Sequence, residues 1–184
     1  MILVYSILAL VVVLLLAVVV IYNRLVRNRN LVQEAWSGID VQLKRRSDLI
    51  PNLVEAVKGY MGHERQVLEK VTECRAQSLK TQAVGERGRA EGMLTAALGN
   101  LFAVAENYPD LKANQNFLDL QRNLADIEEQ LQMARRYYNG AARNLNILIQ
   151  SFPSNLVARN FNFTPVEYFE LEDRGEGAVP RVSF

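Results

Sequence analysis

The first twenty-two positions of this chain carry no charged side chain, and from Ile7 to Ile21 they are almost unbroken Leu, Val, Ile and Ala. A helix of that length covers roughly 33 Å, enough to cross a hydrocarbon core of about 30 Å. A helix that is apolar on every face is not the pattern of an ordinary soluble element, which keeps one polar side. A cleaved leader would have a basic residue ahead of the run and a small-residue cleavage site behind it. Neither is present, so residues 1–23 are read as a transmembrane anchor.

Downstream the pattern changes to a strict alternation of three and four. It runs through Phe117, Leu120, Leu124, Ile127, Leu131, Ala134, Tyr138, Ala141, Leu145, Leu148 and Phe152, five heptads without a slip. This predicts one long helix with a narrow apolar seam, of the kind that needs a partner helix. Val32, Ala35, Ile39, Leu43, Ile50, Val54, Val57, Met61, Leu68 and Val71 supply the matching seam upstream. That seam has a gap at Arg46 and Ser47, which marks an interruption. Pro51 then predicts either a kink or a restart with Asp48 as N-cap, because proline donates no backbone N–H and clashes with the preceding turn.

A third helix is expected from Arg87 to Glu106. It is bounded by a turn over Thr81–Gly88 and another over Tyr108–Asn116, where Pro109 precedes Asp110. Helices joined by short turns pack as antiparallel neighbours. The predicted fold is therefore all-α: an N-terminal transmembrane helix, an elongated antiparallel up-down helical bundle over 24–152, and an extended C-terminal tail over 153–184. The tail carries Pro153, Pro165 and Pro180 and alternating Phe161 and Phe163, a pattern for extended chain.

Charge adds orientation more than chemistry. The formal net charge is +1, so no global field recruits nucleic acid. Locally, Arg24, Arg27 and Arg29 follow the apolar run, with Lys44, Arg45 and Arg46 further on. By the positive-inside rule they place the body in the cytoplasm. At headgroup depth each of the first three attracts anionic lipid by about 1 kcal/mol. The single cysteine, Cys74, rules out an internal disulfide and lies far from the run, so no lipid attachment is expected there.

No catalytic constellation emerges. His63 and Glu64 lack the second histidine of a zinc-protease helix, since Val67 stands in its place, and one histidine cannot build a di-iron bundle. Gly85, Gly88 and Gly92 lack the Lys-Ser/Thr ending of a phosphate loop and read as turn and packing positions. Glu128 and Glu129 point about 100° apart on a helix and read as solvated charge. Cys74 has no neighbour that firmly lowers a thiol pKa, and Asn162-Phe163-Thr164 is a glycosylation triplet without a supporting context. No enzyme activity, cofactor, metal, small-molecule substrate or nucleic-acid partner is expected.

Several stretches carry a resemblance. Tyr22-Asn-Arg-Leu-Val-Arg-Asn-Arg-Asn30, Glu34-Ala-Trp-Ser-Gly-Ile-Asp-Val-Gln-Leu-Lys-Arg-Arg46, Asp48-Leu-Ile-Pro-Asn-Leu-Val-Glu55, Val57-Lys-Gly-Tyr60, His63-Glu64, Tyr137-Tyr-Asn-Gly-Ala-Ala-Arg-Asn-Leu-Asn146, Phe152-Pro-Ser-Asn155 and Glu167-Tyr-Phe169 resemble the bacterial LemA family over nearly the whole chain. The resemblance implies a membrane-anchored helical protein with a small external N-terminus. It implies no catalytic residues, although the family includes a magnetosome-associated member and members encoded near membrane metalloproteases.

Two functions are expected from these features. In the first, anchored protomers form a homo-oligomer that organises or shapes the lipid membrane. Arg24, Arg27 and Arg29 lie on headgroups, and Leu31, Trp36 and Ile39 are candidate contacts, although core packing is the plainer role for Trp36. In the second, the protein is an adaptor for a membrane protein partner such as a quality-control protease, docking through its helical face or through the aromatic tail with Phe161, Phe163, Tyr168 and Phe169.

Overall fold

A computed structural model describes residues 1–62, 64–81 and 83–170 of the chain. Among these residues the only regular structure is helical. The elements are α1 (Ile2–Lys58), α2 (Arg65–Lys80), α3 (Val84–Ala105), α4 (Pro109–Lys112), α5 (Gln115–Gln150) and α6 (Ser154–Asn160). Contacts group them into two compact units. The first is Met1–Ile39 with Met133–Glu167; the second is Asp40–Gln132 with the chain from Tyr168. The divisions fall inside α1 and α5, so two unbroken helices contribute to both units.

The sequence-based interruption at Arg46 and Ser47 is absent, because α1 passes through both residues and through Pro51. A proline at 51 leaves the carbonyl of Ser47 without its helical donor. Arg75 of α2 fills that place, its Nε donating to Ser47 O at 2.7 Å. With the orphaned acceptor satisfied from outside, the helix neither ends nor restarts. Arg46 and Ser47 look like a gap because they are polar, yet both are buried.

The second unit holds the main apolar cluster. Ile50, Leu53 and Val57 of α1 meet Leu68, Val71 and Cys74 of α2, Leu94, Leu98 and Leu101 of α3, and Phe117 and Leu124 of α5. The α2–α3 turn is tighter than expected: the helix resumes at Val84, so residues 84–88 are helical. The turn before α5 contains α4, with Pro109 in its first turn, where the missing N–H costs nothing. Asn114 caps α5, its Oδ1 accepting from the Phe117 N–H at 3.1 Å, while its Nδ2 donates to the Tyr60 hydroxyl.

The α5 seam is buried at Phe117, Leu124, Ile127, Leu131, Tyr138 and Leu145. It departs from the strict heptads after Tyr138: Ala142 rather than Ala141 is fully buried, and Phe152 is 80% exposed. A straight helix drifts against a seven-residue repeat, and here the apolar face takes in Ala142 while Leu145 keeps the original register. Pro153 stops α5 as expected, but Ser154–Asn160 forms the short helix α6 instead of extended chain, and the chain is irregular only from Phe161.

Candidate functional site

In the first unit every side chain from Met1 to Val20 is exposed, so none of the other described residues covers the apolar run. It is the one helix among the described residues long and apolar enough to cross a membrane. Tyr22 closes the run. Its ring lies 4.8 Å from Phe161 and 5.9 Å from Phe163, and the Arg29 guanidinium sits 5.1 Å over the Phe163 ring. Aromatic edges and a cation over a ring face are favourable quadrupole contacts. Arg24, Arg27 and Arg29 are all exposed, and Arg29 also makes the contact over the Phe163 ring.

The remaining candidate contacts divide by burial. Leu31 and Trp36 are half-buried, and Trp36 meets Tyr138 edge-on at 5.5 Å. Ile39, Phe163 and Phe169 are buried and belong to the chain's own core, which takes them away from a partner surface. Phe161 and Tyr168 stay exposed. His63 lies outside the described residues, as does the tail beyond Glu170.

The stretch Tyr137–Asn146 shows what its side chains do. Asn146 Nδ2 donates to Val166 O at 2.9 Å, and its Oδ1 accepts from the Val166 N–H at the same distance. The amide thus pairs with the extended segment as a neighbouring strand would. The Tyr138 hydroxyl donates to Glu167 O at 2.9 Å; burial first, and then the nearby Glu167 charge, pushes its pKa up. These groups strap residues 166–167 onto α5.

The second unit contains a polar cluster that the sequence reading missed. Arg46 is 3% exposed and Glu91 1%. Arg46 Nη2 donates to Thr95 Oγ1 at 2.8 Å, and its Nη1 lies 3.5 Å from Glu91 Oε2 and 3.4 Å from Glu128 Oε2. Ser78 of α2 donates to Glu91 Oε1. Four helices therefore each contribute to the cluster. Burial raises the Glu91 pKa, against the lowering effect of Ser78, Arg46 and Arg87, with Glu128 adding to the rise. Glu128 is thus not simple solvated charge. A spacing of three and four from Arg46 to Ile39, Leu43, Ile50 and Leu53 was the available signal, since it puts Arg46 on the buried stripe.

Close by on α3, Gly88 is buried and the backbone of Glu170 passes where a Cβ would stand. The glycine therefore serves a close backbone approach rather than a turn. Cys74 is buried, and no cluster of three His, Cys, Asp or Glu side chains able to hold a metal occurs among the described residues.

A model of the LemA family matches residues 35–184. The chain belongs to the LemA family. It is 29% identical over 153 residues to Protein LemA of Metamycoplasma hominis, covering 82% of this chain and 69% of that protein. It is also similar to the magnetosome protein MamQ of Magnetospirillum gryphiswaldense, at 24% identity over 86% of this chain and 68% of the relative. The magnetosome protein MamQ 2 of Paramagnetospirillum magneticum is 25% identical with the same coverage. LemA membership and the uncovered apolar helix make this a membrane-associated helical protein.

Proposed function

We propose that this LemA-family protein is a non-enzymatic, single-span membrane scaffold whose copies associate and organise the bilayer that anchors them. The observation that carries the reading is the continuity of α1. The uncovered apolar run passes without a break into the part of α1 that packs within the first unit, so no linker separates the apolar run from that unit. A flexible linker would be expected in a protein that only tethers an independent activity.

Charge supports the orientation. The first unit carries seven arginines, from Arg24 to Arg159, against Glu34 and Glu167, a formal charge of +5 (7 − 2) where the whole chain has +1. Such an excess beside the span favours a cytoplasmic body under the inner membrane. Self-association is supported by the apolar groups that the body leaves in water, such as Met133 and Tyr137, one turn apart on α5. The magnetosome naming of two relatives is consistent with a membrane-organising role.

Light scattering of the full-length protein in nanodiscs or mild detergent tests the scaffold. A defined multimer that Tyr137→Asp shifts to smaller mass is the expected result. A strict monomer at micromolar concentration overturns it and moves the weight to an adaptor for another membrane protein, to be sought by crosslinking in cells.

A further inference from the structure

The corner between α5 and α6 leaves an unusual set of side chains uncovered: Phe152 at 80%, Leu156 at 56% and Phe161 at 52% exposure. Within the first unit, α5 runs back antiparallel to α1, and two sets of ring contacts define the register. Trp36 meets Tyr138, and Tyr22 meets Phe161 just past the corner. The same number of residues, fourteen, separates Trp36 from Tyr22 and Tyr138 from Phe152. At about 1.5 Å per residue each path covers roughly 21 Å. The corner thus arrives level with Tyr22, where the charge-free run ends.

Charge at this level is one-sided. No Asp or Glu occurs between Met133 and Val166, while Arg24, Arg27 and Arg159 are exposed. Exposed aromatic and aliphatic groups together with exposed arginines, at the end of a membrane span, have the composition of an interfacial belt.

We propose that the α5–α6 corner is a second membrane contact, with Phe152, Leu156 and Phe161 seated in the interfacial zone of the leaflet that Arg24 and Arg27 border. The occupant of this apolar patch is anionic lipid rather than a second protein. Two points of contact, the span and the corner, restrict rotation of the first unit about the span axis. The proposal rests on reading residues 1–22 as a membrane span, and the test separates the two claims.

Single nitroxide labels are placed at Phe152, Leu156, Val12 and Gln33 in a Cys74→Ala background, with helicity of each labelled protein confirmed by circular dichroism. The protein is reconstituted in nanodiscs of phosphatidylethanolamine and phosphatidylglycerol, and collision with oxygen is compared with collision with a water-soluble nickel chelate. The expected result is oxygen in excess at Val12, 152 and 156, and the reverse at Gln33. A lipid-exposed Val12 with water-exposed labels at 152 and 156 overturns the corner while leaving the span intact. A water-exposed Val12 overturns the span and the corner with it. Labels at 152 and 156 shielded from both reagents indicate cover by a second copy and also overturn the proposal.

Discussion

Pro51 and Arg75 show how one side chain rescues another residue's backbone defect. Because the guanidinium occupies the acceptor that proline leaves open, the two residues are expected to be coupled. Arg75→Met should lower stability by about 1–3 kcal/mol, the cost of leaving a buried acceptor unpaired. In a Pro51→Ala background, where the helix supplies its own donor, the same substitution should cost less. Urea unfolding of the four proteins in a double-mutant cycle measures the difference. Glu91 carries a pH dependence of definite sign. Its folded-state pKa lies above the ordinary value of 4.5, so the folded chain holds the proton longer than the unfolded one. Stability from this group is therefore present at low pH and lost as pH rises from about 4.5 through the folded value. The unfolding free energy of the wild type, compared with that of Glu91→Gln, should fall over that window. A difference that is flat with pH would rule out the shift.

At the scale of elements, the long helices depend on partners more than on their own propensity. Leu131 is 1% exposed on the α5 seam, and Leu131→Ala should cost about 2–5 kcal/mol in chemical denaturation. The extended segment after α6 has no ladder of its own and is strapped by two side chains. Asn146→Ala removes both hydrogen bonds to Val166 and should raise amide exchange at Val166. Exchange in α2 and α3, which belong to the other unit, should be unaffected. Gly88 belongs to the same scale: the close pass of Glu170 makes it a contact between a helix and the chain that crosses it.

For the molecule as a whole, a net charge of +1 conceals a segregation. The first unit is basic, and the second is correspondingly acidic at −4, the remainder when +5 is taken from +1. The basic unit is the one that carries the apolar run. A membrane-impermeant maleimide applied to cells expressing a cysteine at exposed Gln33 should therefore label only after permeabilisation. Labelling of intact cells would reverse the orientation proposed above.

Sequence alone determined the features that depend on local composition and period. The charge-free run, the apolar period of α5, the turns near Thr81 and Pro109, the stop at Pro153 and LemA membership were all legible there, because each is written in neighbouring residues. Tertiary structure decided what happens where a local rule is broken. Pro51 does not end α1, since the Ser47 carbonyl it leaves open receives a donor from Arg75, 28 positions beyond Ser47. Arg46 and Ser47 are no gap: Thr95 and Glu91, more than forty positions downstream, make a place for the guanidinium in the core. Phe163 and Phe169 are core groups, while Phe152, the last position of a perfect heptad series, is exposed. In each case the deciding free energy lies in a contact with a distant part of the chain, and a periodicity read along one helix carries no information about it.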